Sequence, residues 1–319
     1  MKRYALLLLG AGLLLGCQKD DILFVKTNSA LAQLSQTNGP AVQRFVFALN
    51  QPQTLRTTAG ATLSFPANAF RLPDGRTQAT GQAELRVREI YSVADMVLAN
   101  MPTTAHNGEH LVSGGEFNIQ VWQGSTRLRL GLPAVANGTA PRLLLTSPVP
   151  PTGLDTTRML LWQLPANAFA ATAPDSSGWS WPAGNGGPTW LAPPTGGFYS
   201  AALPLDSIGW WNIDQFWHAY RTSGTGGVFV EVPVGATETR VYFRPVGYNG
   251  LARCVATPST TRWASNLPIG ADVIAVVLQE RSGQLYYGTQ RLTTQAGLVV
   301  SPTLQALSEA DIVQRIRQL

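Results

Sequence analysis

Apolar and polar residues alternate with a period of two along most of this chain, in short runs broken by Gly, Pro, Asn and Asp. That is the period of a half-buried strand. Residues 61–65 alternate in this way. Ala83, Leu85 and Val87 oppose Glu84, Arg86 and Arg88, and Phe117, Ile119 and Val121 oppose Asn118 and Gln120. Pro73-Asp74-Gly75, Gln123-Gly124-Ser125 and Ser282-Gly283 supply turn chemistry between runs. Helix signals are few. A weakly apolar stretch precedes residue 41, Ser92 caps a short turn with Asp95, and Ser308 with Asp311 opens a C-terminal helix. The apolar face of that helix is Ile312, Val313, Ile316 and Leu319, set to pack against the second domain. The pattern predicts an all-β fold of two antiparallel β-sandwich domains with a short C-terminal helix.

The run of turn signals divides the chain. Residues 1–16 are a signal peptide, 17–44 a polar tether and 45–169 the first sandwich. Residues 170–200 are rich in Pro, Gly, Ser and Trp without a period, and read as a connection. Residues 201–319 form the second sandwich with the C-terminal helix. Pro-Ala-Asn-Ala-Phe occurs at 66–70 and again at 165–169, but the flanks do not match, so no duplication is read from it.

The first sixteen residues set an address. Lys2 and Arg3 precede an uncharged apolar run, 5–16, too short for a spanning helix of about 20 residues. Leu14-Leu15-Gly16-Cys17 resembles the lipobox of bacterial lipoproteins. The resemblance implies cleavage before Cys17, acylation of its thiol and amine, and a membrane partner held through that anchor. Two or three acyl chains hold a protein stably where one does not. Gln18, Lys19, Asp20 and Asp21 resemble the export signal of Bacteroidota surface lipoproteins, which implies outer-membrane localisation with the body facing the medium. Loss of Lys2 and Arg3 lowers the formal charge from +5 to +3. The remaining basic residues are scattered, so no nucleic-acid partner is expected. Cys254 is then the remaining thiol, with no second one to pair with, and reads as a small packed hydrophobe.

The body carries a second resemblance. Residues 60–70, Gly-Ala-Thr-Leu-Ser-Phe-Pro-Ala-Asn-Ala-Phe, are similar to the opening of a domain of Bacteroidota surface proteins. The likeness runs through Asp74-Gly75, residues 87–91, Asp95-Met96-Val97 and Ser113-Gly114-Gly115-Glu116. It is also distantly similar to the β-sandwich domain of ankyrins and netrin receptors, which implies protein contacts and no catalytic residues. Gly209-Trp210-Trp211-Asn212-Ile213-Asp214-Gln215-Phe216 resembles a Gly-Trp-Ile-Asn-x-Asp-x-Phe signature that follows the first domain, with Trp211 and Gln215 as departures. Residues 266–270 resemble a turn of prealbumin-like sandwiches.

Little in the chain carries chemistry. With no lysine beyond Lys26 a phosphate loop is excluded, and no Gly-x-Ser-x-Gly is present. His106 and His110 flank an Asn-Gly turn. They either face each other across two strands beside Glu109, as a metal site needs, or are incidental to an exposed turn. The reading taken is the second: no metal and no cofactor. Glu116 and Asp214 are candidates for paired-carboxylate glycosidase chemistry only because they sit in the resembling motifs; the reading taken is structural use, capping turns or neutralising an arginine, and no catalytic residue is assigned. Six of the nine tryptophans fall between 179 and 217, which makes Trp190, Trp210, Trp211 and Trp217 the candidate ligand-binding residues. Exposed, they would form platforms for sugar rings or protein partners. A strand at 210–217 that is apolar on both faces would instead be buried on both. The expected function is a non-enzymatic surface lipoprotein that contacts a protein or polysaccharide. The alternative is a glycan-binding or glycan-hydrolysing accessory protein.

Overall fold

The computed structural model describes residues 29–131, 143–150, 156–164, 178–180, 189–203, 208–217, 224–259 and 261–319. The lipobox and export motif, Trp181 and the second Pro-Ala-Asn-Ala-Phe lie outside the described residues.

The protein is all-β, with three short α-helices among the described residues. In the first sandwich, one sheet sets Gln43–Ala48, Gln82–Ile90, Leu111–Gln123, Trp210–Phe216, Leu160–Leu164 and Thr189–Trp190 side by side, with Thr126–Arg127 hairpinned onto Leu111–Gln123. The facing sheet orders Phe198–Leu203, Leu143–Pro148, Thr62–Phe65 and Gln53–Arg56. Between them lie Leu63, Phe65, Leu85, Val87, Phe117, Ile119, Leu145, Tyr199, Trp211 and Ile213. These are the inward residues of the period-two pattern.

The second sandwich has a sheet of Val255–Ala256, Arg262–Pro268, Thr225–Glu231 and Val299–Val300. It faces a sheet of Ala252–Arg253, Glu238–Pro245, Asp272–Arg281, Gln284–Thr293 and Gln305–Ala306. Val228, Val230, Phe243, Val273, Ala275 and Val277 fill its core. Ser282 and Gly283, both with positive φ, close the expected hairpin. The one departure from antiparallel pairing among the named strands is Phe229–Val230 beside Val299–Val300.

A third apolar layer joins the sandwiches. Helices α1 (Ala30–Asn38), α2 (Val93–Ala99) and α3 (Glu309–Ile316) lie between the outer faces of the two larger sheets. Leu31, Leu34, Met96, Leu98, Ile312 and Ile316 meet Leu160, Trp162 and Trp210 of one sheet and Tyr242, Val276, Leu278 and Tyr287 of the other. Each fully buried aliphatic side chain contributes about 1.5–3 kcal/mol. Ser92 and Ser308 cap α2 and α3 as their sequences predict.

Three expectations are corrected. Phe198–Leu203 and Trp210–Phe216 complete the first sandwich rather than opening the second, whose first strand starts at Thr225. Thr189–Trp190, placed within the connection, is an edge strand of that same first sandwich. Alternation marks a strand but not its neighbours, and Trp210–Phe216 fits between Leu111–Gln123 and Leu160–Leu164 because both its faces need covering. The stretch 30–38 is not tether: Leu31 and Leu34 are buried, so α1 belongs to the folded body.

Candidate functional site

The tryptophans are the first residues to place. Trp210, Trp211 and Trp217 are 5%, 0% and 4% exposed. A buried indole offers no face to a sugar ring, so these three are corrected from ligand platform to core. Trp211 packs inside the first sandwich and Trp210 in the helical layer. Trp179 is buried too, and its Nε1 donates to the Pro102 carbonyl at 3.0 Å. Trp190, 61% exposed on its edge strand, keeps the geometry of a contact residue.

The histidines do not converge. His106 is exposed, with Nδ1 3.3 Å from the Trp179 carbonyl. His110 is buried, with Nε2 2.9 Å from the Asn266 carbonyl and 3.0 Å from Ser265 Oγ. The turn is exposed at His106, Asn107 and Gly108, as the second reading has it, but His110 is buried against Asn266 and Ser265, which corrects that reading for this residue. Among the described residues no group of three or more His, Cys, Asp or Glu is placed to hold a metal ion. A cleft of about 220 Å³ opens beside His110 at the junction of the sandwiches, lined by Glu109, Trp217, Thr225 and Asn266.

The most chemically loaded place is sealed. Glu116 lies opposite Asn212 and Ser113 opposite Asp214, so two residues on one strand, Gly114 and Gly115, oppose one on the other, Ile213. Gly114 and Gly115 form the bulge. Gly115 has φ +139°, and a Cβ there would stand 2.8 Å from Tyr91 Cε1. A Cβ on Gly114 would stand 3.0 Å from Tyr199 Cε2. Only a Gly-Gly pair fits this kink, which turns Ser113, Glu116, Asn212 and Asp214 into one cluster. All four are 0% exposed.

The bonds within the cluster are specific. Ser113 Oγ donates to Asn212 Oδ1 at 2.9 Å and accepts from the Gly115 amide at 3.0 Å. Asn212 Nδ2 donates to Asp214 Oδ2. Asn249, from the second sandwich, donates to the carbonyls of Tyr91 and Ser113 at 3.0 and 2.8 Å, clamping the bulge from above. Asp214 Oδ1 and both carboxylate oxygens of Glu116 have no hydrogen-bond partner. Burial pushes both carboxyl groups well above the ordinary carboxylate range, and the Asp214 charge raises Glu116 further. Ser113 and Asn212 offset part of this for Asp214. The sequence named both acids and the structure brings them together. It also encloses them, so no glycoside can reach this pair, and the glycosidase alternative drops out for these two residues.

Sequence reasoning missed a second polar cluster. Arg240 Nε donates to Glu238 Oε1 at 2.7 Å, and Arg240 Nη1 to Ser35 Oγ at 2.7 Å. Glu238 also takes the Ser29 hydroxyl, and Glu280 accepts from the Ala30 amide at 2.7 Å. The available signal was Glu238 and Arg240 two apart on one strand face, which identifies no distant partner.

No family model matches the chain, and no curated protein matches it. Among the described residues no helix is long and apolar enough to cross a membrane.

Proposed function

We propose that this chain is an outer-membrane lipoprotein, acylated at Cys17 and displayed on the cell surface, whose body is a non-enzymatic interaction module. Its partner is a protein or a polysaccharide. The address rests on the lipobox and on Gln18, Lys19, Asp20 and Asp21. The observation that carries the module reading is the fastening of α1. Glu238 and Glu280 hold Ser29 and Ala30, at the start of the helix, between the sandwiches. Eleven residues, 18–28, separate Cys17 from that point. They reach at most about 40 Å, so the anchor holds two joined sandwiches close to the lipid. The enclosure of Glu116 and Asp214 fits a role in contact rather than in catalysis.

Metabolic labelling with an alkyne fatty acid tests the anchor. Label on the wild-type chain and none on Cys17→Ala supports it; equal labelling overturns it. Protease shaving of intact cells tests display. The wild-type body is cleaved, and a variant with Lys19, Asp20 and Asp21 changed to alanine is protected. A wild-type body that resists shaving overturns display.

The glycan-binding reading retains one favourable observation, the exposed indole of Trp190. Glycan-array binding that disappears in Trp190→Ala, with an unchanged circular dichroism spectrum, would select it.

A further inference from the structure

The helical layer covers the larger sheet of the first sandwich over Leu160, Trp162 and Trp210. Toward its edge strand, Gln43–Ala48, the same outer face carries charge instead. Register sets Arg44 opposite Arg86, and Val46 opposite Glu84. Arg88 follows two residues along the same face, and Arg127 stands opposite Trp122 in the row of Glu84. Among the described residues of these strands Glu84 is the acid on this face. Glu89 falls on the opposite face, where Thr57 and Tyr91 donate to it. Like charges directly opposite each other across a strand pair are destabilising. Arg44 and Arg86 are such a pair, and both bond the same oxygen, Glu84 Oε1. One carboxylate leaves one of the two guanidinium charges uncompensated. Arg86 is already fixed, with Nε on Glu84 and the guanidinium 4.7 Å over the Trp122 ring. Among the described residues no group bonds Nη1 or Nη2 of Arg86, or Nε or Nη2 of Arg44.

We propose that the Arg44–Arg86 face of the first sandwich binds an acidic polysaccharide, whose charged groups bridge the two guanidiniums. The guanidinium fork matches oxyanions two oxygens at a time, and the open donors of the pair are what such a group takes. An anion held between Arg44 and Arg86 supplies the charge that Glu84 alone does not, so binding also stabilises the strand pair. The size of the face favours a polysaccharide over a protein. Three strands and three rows span about 10 Å by 14 Å, whereas a stable protein interface covers roughly 800 Å² on each partner. The exposed apolar side chains beside the pair are Val42 and Val46, too few for the apolar centre of a protein interface. A run of charged sugar rings needs the guanidiniums and little else. The inference rests on the reading of the body as a contact module and names its partner; it does not depend on the lipid anchor.

The test titrates the whole mature chain, carrying Cys17→Ala, with alginate, heparin, neutral dextran and poly-glutamate in a calorimeter. Alginate or heparin should bind, more weakly as salt is raised, and should raise the melting temperature. Dextran should do neither. Arg44→Gln should weaken binding about tenfold, and the double variant Arg44→Gln, Arg86→Gln about a hundredfold. Arg291→Gln, at an exposed arginine of the second sandwich, should bind as the wild type does. A wild type that binds neither acidic polysaccharide overturns the proposal. So does undiminished binding by Arg44→Gln, whose half-exposed side chain makes it the variant to trust if the double one does not fold. Poly-glutamate that binds as tightly as alginate or heparin overturns the polysaccharide and assigns an acidic protein segment instead. Failure here leaves acylation and display untouched, because labelling and shaving read those without any ligand.

Discussion

Arg240 Nη1 donates to Ser35 Oγ at 2.7 Å across 205 residues of sequence. The same guanidinium bonds Glu238, which holds the Ser29 hydroxyl at the start of α1. The helix that follows the proposed anchor is therefore fastened to the second sandwich through one buried arginine. Removing one partner of a buried ion pair leaves the other uncompensated. Arg240→Ala should lose about 3 kcal/mol of stability, read from the urea midpoint, and should expose residues 29–39 to limited proteolysis. An unchanged midpoint would show that α1 is held by its apolar face alone.

Gly115 separates two kinds of glycine. Its φ of +139° and the 2.8 Å approach of Tyr91 leave no room for a side chain. Gly115→Ala should cost more than about 2 kcal/mol. Gly124 has φ +57° with nothing within 4 Å, so Gly124→Ala should cost only about 1 kcal/mol. Equal losses in thermal unfolding would argue against the bulge.

The tryptophans should divide by burial. Trp211→Ala opens a cavity in the first core and should cost about 3–5 kcal/mol. Trp190→Ala removes an exposed ring and should stay within about 0.5 kcal/mol. Parallel denaturation curves for the two variants check this. A large loss at Trp190 would assign that ring to packing rather than contact.

Burial holds the Tyr242 phenol up at about 12, with Arg240 and Arg253 lowering it in part. A folded value above the unfolded one means more protons are bound in the folded state. The contribution is whole below pH 10 and is lost as pH rises through about 12. Wild-type stability should fall by about 2 kcal/mol over that window, and Tyr242→Phe should fall less. Identical pH profiles from urea titrations would remove Tyr242 from this loss.

Cys254 is buried, and burial pushes its thiol well above the ordinary value. In a Cys17→Ala background it should not react with a disulfide reagent at pH 8 until guanidinium unfolds the chain, when one thiol should appear. Rapid reaction of the native protein would contradict its packing.

The sequence by itself determined the elements. The alternation of Ala83, Leu85 and Val87 with Glu84, Arg86 and Arg88 survives residue by residue in the burial of Gln82–Ile90. The caps at Ser92 and Ser308 and the Ser282-Gly283 hairpin are equally local, and all three are where the residues placed them. Apolarity on both sides of Trp210–Phe216 already indicated a strand covered on both faces. These features depend on neighbours one to four residues away, which a sequence displays directly.

Only the tertiary structure decided the partners. It placed Trp210–Phe216 in the first sandwich, set α1 between two sheets and joined Arg240 to Ser35. It also brought Glu116 and Asp214 into one enclosed cluster with Asn212 and Ser113, although a carboxylate in sequence looks the same exposed or buried. Strand pairing bonds backbone to backbone, and nearly every residue type carries the same amide and carbonyl. Period two therefore gives a strand its faces, and the packing of the whole chain gives it its neighbours.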